Sequence, residues 1–474
     1  MARSLLIVVA ALCAAASAGA APKYGVAEDA PKYADDGGRA LFRDFHTIGL
    51  TVDRVTVQWD QTNPDVIPER AFLDRLVPAA ASSGIELVFQ IFPKQPRAFQ
   101  TDVEERTDEF AAFVKRVAVA FPEVRRFIVL NEPNELYFLS PQLARGRNVS
   151  APVALKALAK SYDALKGVDP GIEVIGLSLS PEANDRTSTS PVRFLAALGR
   201  AYRASGRTRP LMDSLGLHLY PKDAARQDET TRYQWPQTGP KDLGRIKQAF
   251  HDAFAGTGQP LFQETPEAVG PVASLVLDEL GWQVRVLPSL RGLYTARENT
   301  TVTTEARQAD VYASLVRNLA CDQAVSDVLL FHLIDESDLR RFQSGLERVN
   351  GARRPSFAAV QAAIRKPPSC AGVAQWHHLK GVAEPRLGAR PSVRVSNGGV
   401  RVRPSAAEDV TARVSLVRDG DVLSTRSLAV PAYRRPPIFL AAQLSPGSYT
   451  IVARLTAVLA PSRVSTISRP LLVR

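Results

Sequence analysis

Through most of this chain, short continuous apolar runs alternate with longer stretches in which apolar residues recur every three or four positions. The short runs are "KYGVAE" near Tyr24, "DRVTVQW" from Asp53, "IELVFQIF" from Ile85, "RRFIVL" from Arg125, "IEVIGLSLS" from Ile172, "SLGLHLY" from Ser214, "PLFQE" from Pro260 and "VLLFHLI" from Val328. They are strand-length, and too continuously apolar to leave one face wet, as strands buried on both sides of a parallel sheet are. Between them "ERAFLDRLVPAAASS", "ERTDEFAAFVKRVAVAF", "PVALKALAKSYDALKG", "PVRFLAALGRAYRAS", "LGRIKQAFHDAFA" and "TEARQADVYASLVRNLA" carry the helical period, and "RPSFAAVQAAI" closes the series. Eight such strands alternating with helices predict an α/β fold, a (β/α)8 TIM barrel over residues 21–366.

The rhythm then changes. After a linker that opens with Pro367 and Pro368, residues 367–378, the segments "SVRVSNGGVRVRPS", "VTARVSLVRDGDVLSTRSLAV" and "GSYTIVARLTAV" alternate apolar with polar positions and are broken by Asn-Gly-Gly, Asp-Gly-Asp and Pro-Gly turns. That pattern predicts antiparallel strands and a small all-β sandwich, immunoglobulin- or fibronectin-like, over residues 379–474.

Charge sharpens this division. The chain carries a net +11, and from His378 onward 15 Lys and Arg stand against 5 Asp and Glu. The excess therefore belongs to the sandwich, and a near-neutral barrel argues against nucleic acid as a partner. The basic strands either form a solvated face or attract an acidic cell-surface polymer.

Residues 1–20 place Arg3 before "LLIVVAALCAAA" and end in small residues, the pattern of a secretory signal, so the protein is expected outside the cell. Cys13 follows Leu12, a large residue where a lipoprotein signal wants a small one. Past the signal two cysteines remain, Cys321 and Cys370. An even count in an oxidising compartment predicts one disulfide, which would tie the linker to the helix before Cys321; two separate buried thiols are the alternative. The adjacent His377 and His378 lack zinc spacing, and no metal or organic cofactor is expected.

Candidate chemistry appears where apolar runs stop. "FIVLNEPNELYF", Phe127–Phe138, ends its strand in Asn131 and Glu132, and "QPLFQETPEAVG" ends its strand in Glu264. In a parallel barrel all such ends meet at one mouth, and glycoside hydrolysis with retention needs two carboxyls about 5–5.5 Å apart.

On these residues the chain resembles the retaining glycoside hydrolases of clan A, cellulase-like barrels with the acid/base after strand four and the nucleophile after strand seven. Asn131-Glu132-Pro133 matches the strand-four motif, and Arg54, His218 and Tyr220 in "LHLYP", and "FQSGLERVNGARRPSFAAV" extend the likeness over Tyr24–Ile364. The resemblance implies an enzyme that cleaves β-glycosidic bonds of an oligosaccharide, polysaccharide or smaller glycoside, and a monomer is expected. Glu132 would be its acid/base, Glu264 its nucleophile and Asn131 its ligand for the neighbouring hydroxyl. Arg54 and Tyr220 would attend the nucleophile, and His218 would line the site.

Each residue has a plainer reading. Glu132 could end a turn and Glu264 cap one, Arg54 could be an ion-pair partner, and His218 a core histidine. Trp59, Trp235 and Trp282 are sugar platforms or packing. A transglycosidase would use the same glutamates, and a non-catalytic carbohydrate-binding barrel would keep only the groove. Strand eight, "LLFHLIDES", has His332 and Asp335 where many clan members carry Trp, and residues 265–303 are expected to overhang the site.

Overall fold

The computed structural model describes residues 21–262, 272–370 and 387–474. The expected signal, residues 1–20, and Glu264 lie outside them.

Eight parallel strands close into a barrel. In chain order they are β1 (Lys23–Ala27), β2 (Val52–Trp59), β3 (Glu86–Pro93), β4 (Arg126–Val129), β5 (Glu173–Leu179), β6 (Ser214–Leu219), β7 (Ser274–Leu280) and β8 (Val325–Leu330), and β8 pairs back onto β1. Seven fall where the apolar runs place them. The seventh does not: Phe262, in the run from Pro260, makes only an isolated bridge to Ala273, and the barrel strand is "SLVLDEL". Its Asp278 and Glu279 hide the apolar pattern. The stretch expected to overhang the site, residues 265–303, thus contains β7 itself.

The barrel is filled in layers. Aliphatic side chains of Val52, Val88, Ile128, Ile175, Val276 and Leu329 form a separate cluster inside it. At its amino end Arg126 of β4 spans the interior to Asp327 of β8 with two bonds of 2.8 and 2.7 Å, and its Nε reaches Glu173 at 2.7 Å. Removing one partner of such a buried pair strands the other charge, so Arg126→Ala should cost the barrel about 3–5 kcal/mol. Urea unfolding measures this; a loss below ~1 kcal/mol would show that the pair is not structural.

The remaining strands form a sandwich. One sheet joins Gly388–Ser396, Gly399–Ala406 and Ile438–Ala441; the other joins Asp421–Val430, Val410–Arg418, Gly447–Ala457 and Val464–Val473. Alternation decides the faces. Val400, Val402, Val414, Leu416, Leu440, Ile451 and Leu455 point between the sheets, whereas Arg394 lies opposite Arg401, and Arg413 opposite Arg454, on outer faces. The sandwich docks on the barrel through Arg463, which bonds Glu408 at 2.6 Å and Asp252 at 2.9 Å, and through Arg193 to Asp409 at 3.2 Å. The expected disulfide is present: Cys321 and Cys370 are joined, with Cα atoms 5.4 Å apart. Among the described residues no helix is long and apolar enough to cross a membrane.

Candidate active site

The carboxyl end of β4 is shaped to turn Glu132 into the barrel mouth. Leu130 and Glu132 both sit in the left-handed region, at φ 74° and 39°, a conformation that costs a non-glycine residue free energy and is found where a site over-determines it. The Leu130 amide donates to the Ile91 carbonyl at 2.8 Å, and the Glu132 amide to the Ser178 carbonyl at 3.0 Å. Asn134, fully buried, clamps the next loop by donating to the Ser180 and Thr189 carbonyls and accepting from the Ser180 amide.

β5 and β6 carry the matching irregularity. Pairing slips between Gly176 and Leu179, where Leu177 and Ser178 also have positive φ. Ser178 passes against Gly216, whose absent Cβ would stand 2.6 Å from the Ser178 hydroxyl; only glycine leaves room for that hydroxyl to reach Asp278 at 2.6 Å.

His218 is the hub. Its ring is buried, its Nε2 faces Asp278 at 3.3 Å, and its Nδ1 lies 2.7 Å from Glu132 Oε1 and 3.3 Å from Glu279 Oε2. One nitrogen between two oxygens limits those oxygens to a separation of about 6 Å, nearer the retaining spacing of about 5–5.5 Å than the inverting one of ~6.5–9.5 Å. Glu279 also accepts from Arg54 Nη2 at 2.5 Å and from the Tyr220 hydroxyl at 2.7 Å, so both its oxygens are held. Glu132 and Glu279 keep 15% and 11% of their side-chain surface, whereas Asp278 keeps 0%, so the two glutamates alone can touch a ligand.

Electrostatics separate the carboxyls. Burial pushes Glu132 above the ordinary glutamate range, although the His218 ring pulls the other way. Burial alone would lower His218, yet Glu279 and Asp278 carry it well above the usual histidine value, the direction that favours an imidazolium with two N–H donors. Burial would likewise raise Asp278, but His218, Arg54 and the Ser178 hydroxyl hold it low. Glu135, three residues on, is pushed up to about 7 by burial, but neither His218 nor Glu279 contacts it.

Asn131 accepts from Gln90 Nε2 through its Oδ1 at 2.7 Å, which leaves its own amide donors for another partner. Trp59 and Trp282 are fully buried: Trp59 stacks on Phe99 and meets Phe110 edge-on, and Trp282 donates to the Gln227 carbonyl. Their plainer reading, packing, is the observed one. Trp235 instead lines a groove of about 700 Å3 built from the loops after β4, β5 and β6. Nor do His332 and Asp335 replace the missing tryptophan of β8. His332 bonds the Ala27 carbonyl at 2.8 Å, and Asp335 is gripped by Arg354 at 2.6 and 2.5 Å. Phe331 takes up that side of the mouth, its ring 5.9 Å from the Arg54 guanidinium and 6.0 Å from Tyr220.

Sequence reading thus found Glu132, Asn131, Arg54, His218 and Tyr220 at one locus, and missed Glu279, Asp278, Ser178 and Gln90. Glu279 had a signal: "LVLDELGW" also stops an apolar run at a carboxylate. Among the described residues no group of three His, Cys, Asp or Glu is arranged to hold a metal.

No family model matches the chain, and no curated protein matches it. Similar solved structures include a family 39 glycoside hydrolase from the gut symbiont Bacteroides cellulosilyticus WH2, 16% identical, covering 89% of this chain and 81% of that one at a TM-score of 0.47. Bacteroides uniformis beta-glucuronidase 2, covalently bound to cyclophellitol-6-carboxylate aziridine, is 12% identical at a TM-score of 0.43; 95% of this chain matches 45% of that one. Parabacteroides merdae beta-glucuronidase is 10% identical, covering 95% of this chain and 48% of that one, at 0.44. The chain spans less than half the length of either glucuronidase. At such identities the likeness is one of chain path, and the chemistry of the site stands on its own geometry.

Proposed function

We propose that this chain is a glycoside hydrolase that retains anomeric configuration, with Glu132 as acid/base and Glu279, in place of Glu264, as nucleophile. One observation carries the reading: two partly exposed carboxyls, from the ends of β4 and β7, face a single nitrogen of His218 within about 6 Å of each other. Charge assigns the roles. Arg54 and His218 supply two positive charges, which two of the three carboxyls can balance, and the third is Glu132, the one that burial pushes toward its neutral form. With Oε1 accepting from His218, the Glu132 proton sits on the other oxygen.

In the first step a Glu279 oxygen attacks the anomeric carbon while Glu132 gives its proton to the glycosidic oxygen, and the aglycone leaves as an alcohol. In the second, water attacks the same carbon, Glu132 takes the water proton, and the Glu279 carboxylate departs. Arg54 and Tyr220 receive the charge that returns to Glu279, and the Asn131 amide donates to the hydroxyl next to the reacting carbon. Preference for β-linked sugars follows from the clan A resemblance alone.

A panel of aryl α- and β-glycosides, with the first-formed sugar followed by NMR, tests the reading. Release of aryl alcohol with retained configuration is expected. Inverted product would reject the mechanism, and no turnover across neutral and acidic sugars would reject the hydrolase.

A further inference from the structure

One cavity among the described residues lies away from the glutamates. It has a volume of about 750 Å3 and lies where the sandwich meets the barrel helices Pro191–Ser205 and Leu243–Phe254. Its apolar wall comes from both domains, with Val192, Ala249 and Ala253 on one side and Val458 and Leu459 on the other. Sites at domain junctions with an apolar lining and a few convergent polar groups are the ordinary form of a ligand pocket.

The polar groups are of one dominant sign. Six basic side chains and three carboxylates line the cavity. Arg463 already holds Asp252 and Glu408, and Arg245 holds Asp242 at 3.2 Å. Arg203 donates to the Ala253 and Ala255 carbonyls rather than to an acid. Arg232 is 68% exposed and only 3.8 Å from its nearest carboxylate, and Arg200 has no carboxylate partner among the described residues. The cavity is therefore positive, with exposed guanidinium groups to offer.

Aromatic rings connect it to the groove at the mouth. The Arg245 guanidinium lies 5.8 Å from the Trp235 ring and donates at 2.9 Å to the hydroxyl of Tyr433, itself 53% exposed on the sandwich. Trp235 and Arg232 line both this cavity and the groove beside Glu135, so one surface runs from the loops after β4 and β5 to the domain junction.

We infer that the junction cavity binds an anionic stretch of a saccharide chain, its acid groups met by Arg200 and Arg232 and its ring faces by Trp235 and Tyr433. The saccharide part rests on the proposed hydrolase; the anionic part rests on the charge of the cavity. This would give the sandwich a second share in the substrate, distinct from the arginines on its outer faces.

Calorimetric titration of the full chain with a short oligogalacturonate tests the inference. Saturable binding is expected, weakened at least about tenfold by Arg200→Ser with Arg232→Ser, and similarly by Tyr433→Ala, with the fold confirmed by circular dichroism. A neutral cello-oligosaccharide of equal length should bind at least about tenfold more weakly. Absence of binding, equal affinity for the neutral chain, or affinity untouched by both sets of changes would each overturn it. So would binding lost instead in Arg394→Ser with Arg401→Ser, which would place the ligand on the outer sheet face. Intact, variant-sensitive binding by a protein that turns over no glycoside would reject the hydrolase while leaving this site standing.

Discussion

Glu279→Ala is expected to lower turnover of activated aryl glycosides by at least about 10^4-fold, and sodium azide to restore part of it as a glycosyl azide of the opposite anomeric configuration. The alanine leaves a space between Arg54, Tyr220 and His218, all of which donate hydrogen bonds, and a small anion fits there electrostatically as the carboxylate did. Azide attacks from the nucleophile's side, and with no second displacement to follow, the inverted product accumulates. Full activity in this variant would remove Glu279 from the mechanism. The same substitution at Glu264 separates the nucleophile expected from the sequence from the one the geometry supports: an azide-rescued loss there, and not at Glu279, would return the role to Glu264.

Glu132→Gln should divide substrates by leaving group. Poor leaving groups need a proton as the bond breaks, so their kcat/KM should fall on the order of 10^2–10^4-fold, while dinitrophenyl glycosides, which leave unaided, should lose far less in that step. The pH profile supplies the sign. Burial raises the Glu132 pKa, the acid form is the working one, and activity is present below that value and lost as pH rises through it. The glutamine variant should therefore lose the basic limb of kcat/KM and keep whatever acidic limb the wild type shows. Equal losses for good and poor leaving groups, or an unchanged basic limb, would assign the proton to another group. Glu135, at about 7, is the first to examine.

How much of this could be read in the sequence depended on how local the determinant was. β4 was legible because "RFIV" is unbroken and its end is marked by Asn131 and Glu132. The sandwich was legible because a period of two survives in burial, as in Val410–Arg418. β7 was not, since Asp278 and Glu279 lie inside the strand and are tolerated there only because His218, Ser178, Arg54 and Tyr220, all distant in sequence, hold them. "PLFQE" offered the cleaner local pattern, and local pattern was all that could be weighed. The tryptophans failed as evidence for a similar reason. Whether an indole is a platform or a core residue is settled by its neighbours, and those of Trp59 come from Phe99 and Phe110. The domain junction is the extreme case, because Arg193–Asp409 and Asp252–Arg463 join segments more than a hundred positions apart and leave no periodic trace.

The pairing of β8 with β1 has a consequence for how the folded chain comes into being. Lys23–Ala27 must meet Val325–Leu330, so the contact that closes the barrel is among the most distant in the chain, and a fold dominated by such contacts assembles slowly. Arg54, Glu132, His218 and Glu279 are borne by β2, β4, β6 and β7, which acquire their final spacing only when the ring is shut. A partly assembled chain therefore has no weak version of the site, and unpaired β1 and β8 edges would be open to other chains while it waits. In this architecture the site arrives all at once, with the last hydrogen-bonded seam.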